Sequence, residues 1–198
     1  MDPDWQQPFD LAWEALQAGS FPVGAVLLDP AGQVVLRGRN RRAEGSNPPG
    51  QLSGTAIAHA EINVLAQLPS GDYRDWTLRT TLQPCLLCLS ALRLACVGQV
   101  SYAGADPLWD SCAQVPALLP DLLSDRWPVS TGPADGMDGV WGALLPALWY
   151  VLFKPAIVAE PSDLLPWATV RLARECVAAG IADAPSAAKA YELASTLL

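Results

Sequence analysis

His59 is the only histidine in the chain, and it opens the tripeptide His59-Ala60-Glu61. Further along, Cys85 and Cys88 stand in Pro84-Cys85-Leu86-Leu87-Cys88. One imidazole and two thiolates are the ligand types that Zn²⁺ takes when a fourth tetrahedral position is left open to water. Two cysteines three residues apart on a helix share one face, and Pro84 suits a place just before or in the first turn. The unpaired N–H groups and positive dipole end of that turn favour thiolate over thiol. Glu61 lies too far round the helix from His59 to share its direction, so it is not expected as a ligand. Its expected task is to carry protons beside a water whose pKa is lowered by bound zinc from 15.7 toward about 7.

Taken singly, the histidine could be a hydrogen-bonded core residue, the C-x-x-C pair a redox couple and the glutamate a solvated side chain. Their joint order, on two predicted helix starts, favours a zinc site. A purely structural zinc needs a fourth protein ligand, and the spacing offers none. Cys96, Cys112 and Cys176 have no such partners and are expected as small buried hydrophobes.

The elements that must position these groups follow from periodicity. Residues 4–18 read as an amphipathic helix stopped by Gly19, and residues 22–28 and 33–39 as a hairpin across Asp29-Pro30-Ala31-Gly32. An irregular Pro- and Gly-containing loop, 40–54, leads to a helix over 55–68 with His59 and Glu61 in its opening turns. A strand at 77–82, an almost wholly apolar helix at 85–97 and a strand at 100–103 complete an α/β layer pattern, with a helical stretch at 115–123. Beyond about residue 127 comes a Pro- and Gly-rich linker, then helix-like segments at 140–153, 162–179 and 184–198, with no further strand expected. The expected division is a principal domain over 1–126 and a linker with a helical extension over 127–198.

The chain has 198 residues, 51% hydrophobic and 16% charged, which excludes a disordered polymer. Its net charge of −8 discounts a polyanion as the main partner. The acidic first ten residues lack the positive start and apolar run of a secretion signal, and an odd five cysteines do not form a disulfide framework, so a cytoplasmic protein is expected. The apolar stretch 139–153 is shorter than the roughly 20 residues that span a bilayer, so no membrane partner is expected.

Several stretches resemble the cytidine and deoxycytidylate deaminase superfamily, and most of all its branch of tRNA adenosine deaminases and bacterial guanine deaminases. They are Phe21-Pro22-Val23-Gly24-Ala25-Val26, Gly38-Arg39-Asn40-Arg41, His59-Ala60-Glu61, Thr81-Leu82-Gln83-Pro84-Cys85-Leu86-Leu87-Cys88 and Val100-Ser101-Tyr102-Ala103-Gly104-Ala105. The resemblance spans about residues 1–125. It implies a three-layer α/β/α sandwich around a mixed five-stranded sheet, here with a C-terminal helical extension. It further implies zinc held by His59, Cys85 and Cys88, with Glu61 as proton shuttle. Asn40 is then expected to contact the sugar or base, and the backbone around Ala60 to shape the pocket. Two departures bear on substrate: Gln83 stands where this branch commonly has Glu, and residues 127–198 match no family tail.

The expected activity is hydrolytic deamination of a free nucleobase, nucleoside or related aminated heterocycle, with release of ammonia. The alternatives are a tRNA or other polynucleotide adenosine deaminase, and a non-catalytic zinc-binding protein. A polynucleotide enzyme needs a basic footprint. Arg37, Arg39, Arg41 and Arg42 supply one only if they face the site; otherwise they are a solvated strand end, so nucleic acid is not the expected partner. Tyr102, Trp109 and Trp127 could stack on a base, with Trp109 the preferred pocket residue. The segment 140–153 lacks a polar face and is expected to pack on the main domain or on a second copy of the chain; the oligomeric habit of the resembling family gives a homodimer as the expected assembly.

Overall fold

The computed structural model describes residues 1–46 and 48–198. Helix α1 (Pro3–Gln17) begins at Asp2, whose side chain accepts the Asp4 N–H at 2.8 Å, with proline at the first helical position. It stops at Gly19, whose φ of 74° lies in the left-handed region that favours glycine. Strands β1 (Gly24–Leu28) and β2 (Val34–Arg39) then form an antiparallel hairpin. Asp29 holds its turn by accepting the N–H groups of Ala31 and Gln33 at 2.9 and 2.8 Å.

Strand β3 (Tyr73–Leu82) pairs antiparallel with β1 and parallel with β4 (Val97–Gly104), and β5 (Val129–Thr131) continues in parallel beyond β4. The sheet order is β2-β1-β3-β4-β5, a mixed five-stranded sheet. Strand β5 comes from the region where no further strand is expected. Its three residues are all exposed, so it carries no alternation to read.

Helices α2 (Ala60–Leu65) and α3 (Leu86–Leu94) cover one face of the sheet around Leu27, Leu78, Leu92 and Val100. The expected helix over 55–68 shrinks because His59 takes an extended backbone, φ −73° and ψ 156°, and so becomes the N-cap. The helical stretch expected at 115–123 is instead a 3₁₀ segment, Pro107–Leu118, followed by the single turn α4 (Asp121–Ser124). Pro116 and Pro120 withhold the N–H groups that a continuous α-helix needs.

The opposite face receives α1 and α5 (Gly136–Phe153), with α6 (Trp167–Ala178) and α7 (Ala187–Ser195) packed outside them. The result is an α/β/α sandwich to which the C-terminal segment contributes both a strand and a sheet-covering helix. Among the described residues only α5 is long and apolar enough to cross a membrane, and its Trp141, Leu144, Leu145 and Leu148 are fully buried in the core. Backbone seats α5 on the sheet: a Cβ at Gly142 would lie 2.4 Å from Gly104 N and 2.6 Å from Thr81 O. Neither atom can swing aside. Gly142→Val is therefore expected to cost at least about 2 kcal/mol, read as a lower denaturation midpoint in urea, whereas a substitution at the open position Gly45 leaves that midpoint in place.

Candidate metal centre

Strand β3 ends at Leu82, and Gln83-Pro84 turns the chain so that Cys85 becomes the N-cap of α3, with φ −71° and ψ 168°. His59 occupies the equivalent position on α2. Both helices therefore start at the carboxyl end of the parallel pair β3 and β4, where α/β sheets form their crevices. Helix α2 is held against the hairpin by Gly38: a Cβ there would meet Ala60 O at 2.7 Å and Val64 N at 2.8 Å.

His59 Nδ1 lies 3.6 Å from Cys85 Sγ and 3.5 Å from Cys88 Sγ, and the two sulfurs are 3.5 Å apart. Zinc with Zn–S of about 2.3 Å and Zn–N of about 2.0–2.1 Å has tetrahedral edges of about 3.5 Å for N···S and about 3.8 Å for S···S. The three ligand atoms thus fit one face of a zinc tetrahedron. No other His, Cys, Asp or Glu among the described residues joins the group. All five cysteines are free thiols, so the pair is not a disulfide.

Glu61 is buried beside the triad. Its Oε1 accepts the Thr80 hydroxyl at 3.0 Å, and its Oε2 lies 3.4 Å from Cys88 Sγ. Burial pushes the Glu61 carboxyl above its ordinary range, against the pull of His59. Hydrogen bonding with Cys88, and then with His59, brings the Cys85 thiol down to about 4 in spite of burial. The same contact with Cys85, followed by burial, pushes Cys88 up. A cation held by the two sulfurs would reverse the direction at Cys88, because positive charge favours thiolate.

A cavity of about 530 Å³ opens from the triad. His59, Glu61, Cys85 and Asn40 line it, with Trp109 on the wall supplied by the 3₁₀ segment. Asn40 is 3% exposed; its Oδ1 accepts the Arg42 N–H at 3.0 Å, and its Nδ2 makes no hydrogen bond among the described residues. Ala60 lies between the two functional side chains in sequence, but its own side chain is fully buried in the core beneath α2 and the residue is not among those that line the cavity. Tyr102 and Trp127 line a separate cavity of about 280 Å³ and are not brought to the triad. A larger cavity, about 670 Å³, lies between α5 and α6 and contains none of the metal-binding side chains.

The arginine cluster is mostly consumed within the protein. Arg39 and Arg41 both pair with Glu44, and Arg37 donates to Gln7 Oε1 at 2.9 Å. Burial pushes the Glu44 carboxyl up, but the Arg39 hydrogen bond and the two guanidinium charges outweigh it and hold the carboxyl below its ordinary range. Only Arg42 of the four lines the cavity.

The family model of the cytidine and deoxycytidylate deaminase zinc-binding region matches residues 5–104, a span that contains the whole triad and Glu61. The chain belongs to the cytidine and deoxycytidylate deaminase family. It is 30% identical over 132 residues to a tRNA-specific adenosine deaminase of Streptococcus pyogenes, covering 64% of this chain and 77% of that protein. It is 36% identical over 121 residues to a tRNA(Ile)-lysidine synthase of Deinococcus radiodurans, covering 59% of this chain but only 19% of that protein. The match to the synthase of Deinococcus deserti likewise takes in only 25% of its length. A solved structure from work on A-to-I editing by tRNA:A34 deaminases superposes with a TM-score of 0.52 at 25% identity, over 64% of this chain and 88% of that one.

Within this deaminase fold, several cavity residues escape a reading of the sequence. Phe21, Trp149, Tyr150 and Lys154 all line the cavity, the last three from the end of α5 and the residue after it. Phe21 packs edge-on against Trp149 and Tyr150, with ring centroids at 5.4 and 6.0 Å, and Trp149 Nε1 donates to Gly19 O at 2.9 Å. The one available signal is the Trp149-Tyr150 doublet near the end of an apolar helix, since each ring carries a polar tip that seeks a partner. Thr80 is the other omission. It is a fully buried polar residue on the same strand face as Leu78 and Leu82, and that interruption of an apolar face is legible.

Proposed function

We propose that this protein is a zinc-dependent hydrolase that removes an exocyclic amine from a small aminated heterocycle, as free base or nucleoside, releasing ammonia. The observation that carries the reading is the Glu61 carboxylate, fixed by Thr80 at one oxygen and facing the metal triad with the other, at the closed end of a cavity partly walled by the chain's own C-terminal segment. Bound zinc supplies a nucleophile at neutral pH by lowering the pKa of water. Hydrolysis joins the water oxygen to the ring carbon and breaks the C–N bond, so a proton must pass to the ring nitrogen and another to the departing amine. Glu61 Oε2 is the atom that moves both, since Oε1 is occupied by the Thr80 hydroxyl. Asn40 Nδ2 is free to donate to the base or its sugar, and the rings of Trp109, Phe21 and Tyr150 supply apolar walls that exclude water. The reading carries with it a cytoplasmic enzyme and a homodimer.

Deamination of adenosine within tRNA is the second reading, favoured by the likeness to tRNA-specific adenosine deaminases. The internal pairing of Arg39 and Arg41 weighs against it, because those charges are not free to neutralise phosphates. Ammonia release measured on adenine, guanine, cytosine, their nucleosides and tRNA separates the two. Turnover of a small substrate with little salt dependence is expected. Inosine formation in tRNA alone, lost steeply with added salt, would install the second reading instead.

A further inference from the structure

We infer that Gln83 is a positioning residue of the metal cavity: its side-chain amide ties the 3₁₀ segment to the turn that delivers Cys85, and so sets where Trp109 stands as a wall for the substrate ring. The inference rests on the proposed deaminase reading and adds a residue that controls substrate binding without touching the reacting atoms. Gln83 directly precedes Pro84 and Cys85, and its backbone N–H donates to Gly104 O at 2.8 Å. Its side chain makes two further bonds. Oε1 accepts the Asp106 N–H at 3.0 Å, and Nε2 donates to Asp110 Oδ1 at 3.3 Å. Asp106 and Asp110 bracket Trp109 in the chain, and the Trp109 N–H donates to Asp106 O at 2.9 Å.

Burial alone does not fix this wall. Pro107–Leu118 is a 3₁₀ run of 12 residues, and Cys112 is its one buried side chain among the described residues. Such runs are ordinarily short, because their hydrogen-bond geometry is poor. A segment with so little apolar burial belongs to the low-stability end of a fold and moves unless hydrogen bonds hold it. Trp109 is half-buried and lines the metal cavity with its neighbour Leu108, whereas Cys112 and Pro116 of the same segment line the cavity of Tyr102 and Trp127. Gln83 is the one residue, among the described residues, that lines both cavities. It therefore stands in the partition that the 3₁₀ segment crosses.

The residue type at 83 follows from its two partners. A backbone N–H only donates and a carboxylate only accepts, so the group between Asp106 N and Asp110 Oδ1 must accept at one end and donate at the other. A primary amide does both. A carboxylate at 83 would still accept from Asp106, but it would face Asp110 with like charge and push that side of the segment away. Asp106 cannot compensate, because its Oδ1 is engaged with the Leu108 N–H at 3.2 Å where the 3₁₀ segment begins.

The test reverses the direction of one bond. When Gln83→Glu is combined with Asp110→Asn, amide and carboxylate change places and both contacts can form again. In the zinc-loaded protein acting on its preferred substrate, Gln83→Glu is expected to raise KM about tenfold with kcat within about twofold, the pattern of binding lost equally from ground and transition states. The combined variant should return KM to within about threefold of the unaltered protein, and Gln83→Glu should add less than about twofold in a Trp109→Ala background, where the wall it acts through is gone. Amide hydrogen exchange supplies a readout apart from turnover. Residues 107–118 are expected to exchange at least about tenfold faster in Gln83→Glu and to recover in the combined variant, with β3 and β4 unchanged. Unaltered KM and exchange in Gln83→Glu, a defect that Asp110→Asn does not repair, or faster exchange spread through the sheet overturns the inference. So does loss of zinc in Gln83→Glu, which would make the residue a support of Cys85 instead. If no substrate releases ammonia, the exchange results decide the positioning role on their own and only the deaminase reading falls.

Discussion

Replacing Cys88 by alanine is expected to strip the purified protein of zinc and to abolish ammonia release with it. Cys88 is 1% exposed, and its Sγ lies 3.5 Å from both His59 Nδ1 and Cys85 Sγ. Removing it leaves two ligands where the open tetrahedral site needs three. Even the loss of a group that merely orients a ligand costs about 10–100-fold in metal affinity, so loss of a ligand itself exceeds that. Activity should then fall by at least about 10⁴-fold, because water near its ordinary pKa of 15.7 is a poor nucleophile at neutral pH. Elemental analysis beside an ammonia assay reads both losses. Cys176→Ala is the matched control: that thiol is equally buried but sits in α6, far in sequence from the triad, and its removal should leave zinc content unchanged. Full zinc occupancy in the Cys88 variant would show that the triad is not the metal centre.

The metal triad is legible in the sequence for a physical reason. Ligand chemistry depends on residue type, and short-range spacing fixes geometry wherever both residues sit on one local element. Cys85 and Cys88 share the first turn of α3, so their sulfurs must converge whatever the rest of the chain does. The sheet is legible for the same local reason, since the hairpin turn at Asp29-Pro30-Ala31-Gly32 and the runs in β3 and β4 each carry their own signal.

What escapes is set by long-range contact. The cavity wall made by Trp149 and Tyr150 depends on where α5 lands, and that depends on the backbone contact between Gly104 and Gly142. No periodicity in either segment encodes this encounter. The same holds for β5, which is too short to show a pattern and gains its place only by pairing with β4. The arginine cluster illustrates the converse. Its composition is plain in sequence, yet its meaning turns on Glu44, which takes up Arg41 and, together with Glu14, Arg39, while Arg42 lines the cavity.

Replacing Glu61 by glutamine is expected to separate metal binding from chemistry. The side-chain amide keeps the shape of the carboxyl and can still accept the Thr80 hydroxyl through its oxygen, so the packing beside Cys88 survives. It cannot take up and return a proton, and the loss of a positioned general acid–base group costs about 10²–10⁴-fold in rate. Zinc content should match that of the unaltered protein. Stability supplies an independent signature. A carboxyl buried this fully is expensive when charged, so the neutral variant should unfold at an equal or higher urea concentration. Loss of turnover without loss of stability is what a group retained for chemistry predicts, because its removal relieves the burial cost. A Glu61→Gln protein that deaminates at full rate would exclude the proton shuttle, and one that loses its zinc would make Glu61 part of the metal's support.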